Sequence, residues 1–321
     1  MTEISINNKW KGIILVLLAA IFWGIAGTLA QYLFQIQGFN IEWLVVLRLL
    51  LAGFLMLLVN YSKERERIWA IWKNKNDIIN LLLFSFVGML AVQYTFFAAI
   101  IHGNAATATV LQYLSPMIIL IYVVFKNKNL PKWNEAISVL LAIVGTILLV
   151  THGQITKLSI SSQALYWGIA SAFTLAFYTL QPQKLLARYG SIVVVGWGML
   201  IGGIGFSFIH PPWQFEGTWS ISSIASFIFI VIFGTLLGFY FYLESFRYIK
   251  PTVASVLACV EPFTASILSV IFLNVTFGLP EWIGTLCILS TILITARKGS
   301  ERETKEEKNE EKNEVLHEDI I

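Results

Sequence analysis

The chain has 321 residues, 57% hydrophobic and only 13% charged, with a formal net charge of +3. An average soluble domain carries roughly 45–50% apolar and about 25% charged residues, and one water-soluble core of this length cannot hide such an excess. The solvent that fits is a bilayer, and the net charge says little until its distribution along the chain is known.

Lys9 and Lys11 precede an apolar run from Gly12 to Phe34. That run exceeds the roughly 7–15 residues of a secretory signal core, and no small-residue cleavage site follows, so it reads as a first membrane helix. Further apolar stretches place spans at 11–34, 41–61, 78–101, 104–125, 134–151, 163–184, 190–209, 222–245, 251–273 and 280–297. Each has about the length that crosses a hydrocarbon core near 30 Å at 1.5 Å per residue.

Loop charges then fix an orientation. With the N-terminus inside, 20 of the 22 Lys and Arg residues fall on the inner side; Lys157 lies in an outer loop and Arg48 within a span. This satisfies the positive-inside rule at every loop and predicts cytoplasmic N- and C-termini in a cell (inner) membrane. Trp69, Trp72, Trp133 and Trp219 near span ends read as interfacial anchors. Residues 298–321 form a charged cytoplasmic tail too polar to fold by itself. Cys259 and Cys287 sit in apolar runs and read as packing residues. No metal or redox spacing occurs, so no cofactor or metal is expected.

The two halves match at an ungapped offset of 146. Gly88 meets Gly234, Tyr94 meets Tyr240, Ala108 meets Ala254, Leu111 meets Leu257, Pro116 meets Pro262 and Glu135 meets Glu281. Five spans per half is an odd number, so the second half enters the membrane in the opposite sense, as in many secondary transporters. The expected fold is an all-α polytopic membrane protein with ten transmembrane helices, arranged as two inverted five-helix repeats around a central cavity. The repeats cover 11–151 and 163–297.

Several stretches resemble the drug/metabolite transporter superfamily, and within it proteins with two EamA-type domains. They are Ala20-Ile21-Phe22-Trp23-Gly24, Arg48 through Ala52, Ala105 through Pro116, and Ala254 through Pro262 with its Glu261-Pro262 pair. The resemblance covers about residues 11–297. It implies a ten-helix basket that moves amino acids, their derivatives or other small metabolites, commonly outwards. One departure is clear: where family members often carry Gly-Glu after the fourth and ninth spans, this chain reads Lys126-Asn127-Lys128-Asn129 and Asn274-Val275-Thr276. No role of that glutamate carries over.

Ionisable groups inside spans are few and costly, which marks them as candidates for substrate binding or coupling. Glu261 lies ten residues into its span, about 15 Å deep. It is a candidate substrate contact or proton-coupling group, or else a neutral acid locked to a neighbouring helix. Arg48 is a candidate for a substrate carboxylate, which guanidinium binds bidentately; the alternative is a packing arginine paired with Glu42. Trp23, Gln93, Tyr94, Gln112, Tyr113, Tyr178, Tyr240 and Tyr242 fall within or near the inner part of their spans, where they either line a cavity or pack. Pro116 and Pro262, at equivalent positions, are candidate hinges. Gly196, Gly198, Gly202 and Gly205 make a small-residue face for close helix contact.

No nucleophile–base pair or metal cluster appears within the spans, and no phosphate-binding Gly-x-x-x-x-Gly-Lys motif occurs. The reading is therefore a secondary transporter rather than an enzyme or a primary pump, with a non-transporting sensor or scaffold as the alternative. Expected partners are the lipid bilayer and a small-molecule substrate, with a proton as candidate coupling ion. No nucleic acid is expected, and the assembly is a monomer or a homodimer.

Overall fold

A computed structural model describes residues 3–127, 133–151, 160–245, 248–249, 254, 257–258, 260–276 and 278–290. The charged tail, Cys259, His152 and Lys157 lie outside the described residues. Among the described residues every regular element is helical.

The first half opens with α1 (Glu3–Gln35) and α2 (Ile41–Ala70). The link between them holds Gly38 at φ 68°, and Asn40 caps α2 by accepting the N–H of Trp43. A short 3₁₀ turn, Ile71–Lys73, leads to α3 (Lys75–Leu83), capped by Asn74, then to a π-helical segment at Phe84–Leu90 and to α4 (Ala91–His102). Asn104 caps α5 (Ala105–Gln112), and after a break come α6 (Ser115–Asn127) and α7 (Trp133–Thr151).

The second half contains α8 (Ser162–Leu180), capped by Ser161, then the short α9 (Gln183–Tyr189) and α10 (Ser191–Ser207). Next come α11 (Ile221–Phe229), opened by a Ser220–Ser223 capping box, a second π segment at Ile230–Leu237, and α12 (Gly238–Ser245). The described part ends with α13 (Val260–Leu273) and α14 (Leu279–Ser290).

Among the described residues four helical stretches are long and apolar enough to cross a membrane: Lys9–Gln35, Ile41–Val59, Lys75–His102 and Ile221–Tyr242. Shorter apolar helices occupy Ala105–Ile119, Ser191–Ser207, Val260–Leu273 and Leu279–Ser290. Large apolar side chains such as Phe54, Leu58, Phe173, Ile271 and Phe272 are exposed, an arrangement that water would penalise and lipid does not.

Two elements differ from the sequence reading. The charged stretch 62–70, expected as a loop, continues α2, because Lys, Glu and Arg are good helix formers and nothing there interrupts the helix before Asn74. The third and eighth spans are not uniform α-helices. Each contains a π segment, and adding the repeat offset to Phe84 gives Ile230, the first residue of the second one. The internal repeat therefore extends to the same backbone irregularity in both halves, of a kind often found at functional sites.

The core is centred on α1, α2, α4 and α10, with Leu44, Leu49, Phe84, Met89, Phe97, Val194 and Met199 buried. The glycine face of α10 is spent inside the fold, against α2 and the first π segment. A Cβ on Gly53 would stand 2.6 Å from the Leu200 nitrogen and 2.9 Å from the Gly196 carbonyl oxygen, so both backbones need this glycine. Overpacking at so close a crossing costs about 1–3 kcal/mol or more. Gly53→Leu is expected to lower the melting temperature of detergent-purified protein by several degrees; an unchanged melting curve would show that α2 and α10 can separate freely.

Candidate functional site

Breaks at corresponding places in the repeat, one between α5 and α6 and one ahead of α13, bring chemistry from the two halves together. In the first half α5 ends at Gln112, and Leu114 bonds back to Leu111 before α6 begins at Ser115. In the second half the Glu261 N–H donates to Ala258 and α13 begins at Val260. Pro116 and Pro262 thus do not kink continuous helices. Each lies in the first turn of a new helix, where the N–H that proline lacks has no intrahelical acceptor to serve.

Tyr113 crosses from one break to the other. Its hydroxyl lies 2.6 Å from the Ala258 carbonyl oxygen and 3.2 Å from Glu261 Oε2. Glu261 is 8% exposed. Helix α1 closes this junction: a Cβ on Gly24 would stand 2.7 Å from Thr264 Cβ and 2.9 Å from the Glu261 carbonyl oxygen, so glycine lets α1 reach the first turn of α13.

Trp23, adjacent to Gly24, packs its ring against Phe239 at 5.4 Å and Tyr242 at 5.2 Å. Its buried Nε1 donor has no hydrogen-bond partner among the described residues. Tyr178 joins the same aromatic group through Phe239 and stacks on Phe84 of the first π segment at 5.5 Å.

Arg48 occupies a second junction between the halves. It is 6% exposed, its Nε donates to Thr235 Oγ1 at 3.1 Å, and its guanidinium lies 4.7 Å from the centre of the Phe97 ring. The Thr235 hydroxyl in turn donates to the Ile230 carbonyl at 2.7 Å, five residues back within the second π segment. No carboxylate pairs with Arg48 among the described residues, and Glu42 instead accepts from the Tyr94 hydroxyl at 3.1 Å.

The remaining candidates separate. Tyr94 packs its ring on Trp167 and Phe206. Gln112 donates to Ser171 Oγ at 2.6 Å, and the buried Gln93 donates to Met89 Sδ at 3.2 Å. Tyr240 faces outwards at 36% exposure, with Phe241 as its ring neighbour among the described residues. The structure thus joins Tyr113 to Glu261, sets Trp23 and Tyr178 in an aromatic group that borders this pair through Gly24, places Arg48 apart with Thr235, and leaves Tyr240 outside all of these.

The EamA-like transporter family model matches this chain twice, over residues 10–151 and 162–297. The chain belongs to the EamA-like transporter family. It is thereby a transporter of the drug/metabolite transporter superfamily, with the family's repeated region present twice.

Among its relatives, the "Uncharacterized inner membrane transporter YicL" of Salmonella typhimurium is 43% identical, over 91% of this chain and 97% of its own. The "Uncharacterized transporter YwfM" of Bacillus subtilis is 24% identical over 91% and 95%. A solved crystal structure, 14% identical, superposes with a TM-score of 0.59 over 93% of this chain and 99% of its own, a likeness of fold.

In this EamA-like transporter the sequence reading missed Thr235 and Phe239. Thr235 follows Gly234, one of the repeat-matched glycines, and a polar residue there, inside an apolar span, was the available signal. Phe239 gave none, since one phenylalanine among 23 carries no position-specific information.

Proposed function

We propose that this transporter moves amino acids or related small metabolites across the inner membrane, by alternating access between two inverted five-helix halves that cross the membrane ten times in all. The loop charges favour cytoplasmic N- and C-termini. The observation that carries this reading is the Tyr113–Glu261 contact, which joins the breaks of both halves at one buried carboxyl.

A neutral Glu261 donates a hydrogen bond to Tyr113 Oη, whereas an ionised one accepts from it. Tyr113 Oη has a nearer acceptor in the Ala258 carbonyl, so gain or loss of one proton at Glu261 reverses or releases a bond between the halves. That is the minimum device by which a coupling ion can bias two conformations. The unspent Trp23 N–H and the surrounding rings offer an amphipathic solute one donor and several apolar faces. Breaks at Pro116 and Pro262 supply the hinges, because the broken backbone on either side is free of helical restraint.

Purified protein reconstituted in liposomes is expected to exchange radiolabelled amino acids at a rate that responds to an imposed pH gradient. Comparison of metabolites in cells lacking and overproducing the protein identifies the solute. Absence of exchange for every solute whose cellular level follows the protein would sink the reading.

A further inference from the structure

We infer that the seam between the two halves, on the face that loop charge assigns to the cytoplasm, holds the headgroup of an anionic glycerophospholipid. A cavity of about 420 Å³ opens there, lined by Ala70, Lys73 and Asn74 from the first half and by Arg188 and Tyr189 from the second. Two independent elements converge on it: the 3₁₀ turn before α3 and the end of α9.

The cavity is built rather than incidental. Asp77 Oδ2 accepts from Arg188 Nη1 at 2.7 Å and from the Tyr189 hydroxyl at 2.7 Å, so one carboxylate of the first half fixes two residues of the second. Burial and the bond to Asp77 hold the Tyr189 phenol above its ordinary pKa, so it stays a neutral donor at physiological pH. The Asn74 side chain is consumed as the cap of α3, accepting from Asn76 and Asp77. Among the described residues Lys73 has no ion-pair partner, so the lining keeps one positive charge beyond what Asp77 balances.

Depth and surroundings select the occupant. Lys73 and Asn74 immediately precede α3, and Tyr189 stands two residues before α10, so the cavity lies where two apolar helices enter the bilayer. Trp69 and Trp72 pack on Trp197 at 5.2 and 5.1 Å, an aromatic group of the kind that marks the lipid–water boundary. Trp69 is half exposed, and Ile79, one turn into α3, more so. These offer an apolar flank to an acyl chain that a soluble phosphate has no use for. Basic pockets at this depth suit lipid phosphates. An occupant touching Lys73 and Arg188 would bridge the two halves, which gives bilayer composition a hold on their relative position.

The test uses detergent-purified full-length protein and melting curves, with no dependence on flux or on Glu261. Phosphatidylglycerol is expected to raise the melting temperature in a saturable way, and phosphatidylcholine at equal concentration is not, since a ligand stabilises the state it binds. Lys73→Gln should weaken the phosphatidylglycerol response about fivefold, the effect of one surface charge, and Lys73→Arg should restore it. Equal responses to the two lipids would overturn the inference, as would an unaltered Lys73→Gln variant. Displacement by inorganic phosphate at a concentration matching the lipid would also overturn it, by making the site one for soluble anions.

Discussion

Glu261→Gln is expected to slow solute flux by about tenfold or more and to remove its response to an imposed pH gradient, while the melting temperature stays close to that of the parent. The glutamine keeps the volume of the side chain, and isosteric changes in packed sites cost little. Its amide can still donate to Tyr113 Oη, so the contact between the breaks persists. What disappears is the choice between donating and accepting at that atom. A tenfold loss corresponds to about 1.4 kcal/mol in the barrier, no more than the worth of one hydrogen bond to a charged group. Flux in liposomes with and without a pH gradient separates the cases. A variant that transports at the parental rate and still follows the gradient would remove Glu261 from the coupling role.

The second large effect concerns Arg48, and here stability and transport are expected to part. Arg48→Met should fold with a melting temperature at or above that of the parent, yet lose about tenfold or more in flux. A buried guanidinium that meets no carboxylate among the described residues is expensive, and its return there is a hydrogen bond to Thr235 and a ring contact with Phe97. Replacing buried charges by apolar side chains of similar volume is often neutral or stabilising by about 1–4 kcal/mol.

The loss of function follows from geometry. Arg48 ties α2 of one half to the second π segment of the other through Thr235, whose hydroxyl is engaged with Ile230. The position equivalent to Arg48 at the repeat offset is Val194, which is buried and apolar, so the tie exists on one side only. Arg48→Lys is not expected to rescue, because a compact, strongly hydrated ammonium lacks the planar face that lies over Phe97. Melting curves beside flux decide the matter: a methionine variant that fails to fold would make the arginine a structural requirement.

The sequence carried the helical class and the duplication, for physical reasons, and offered Glu261 and Tyr113 as separate candidates without joining them. A bilayer leaves long uncharged runs, whereas the duplicated Pro reads in sequence as a hinge within a continuous span and in the structure lies in the first turn of a new helix. It did not carry the partner of Arg48, since Thr235 is 187 residues away and nothing local announces the contact. The alternative reading of Arg48, a packing arginine paired with Glu42, rested on sequence proximity, and the structure gives Glu42 to Tyr94 instead. The π segments were equally invisible. Hydrophobic periodicity tests which face is apolar, and a span that is apolar nearly all round reads the same at 3.6 residues per turn or slightly more. Tyr240 shows the reverse failure: its repeat match to Tyr94 is exact in sequence, yet one ring is enclosed by Trp167 and Phe206 while the other faces outwards.

The matched π segments also limit how the gene can be cut and rejoined. A π turn holds one residue more than the α turn it replaces, and one residue is about 100° of helix rotation. The π segment takes up that extra residue within its own wide turn, so deleting one residue from Phe84–Leu90 would let the turn close as an α turn and leave Gln93 and Phe97 near their present facing. Relatives that differ by this one residue are therefore joined safely only where the joint lies outside the π segment, so that each donor keeps its own turn whole.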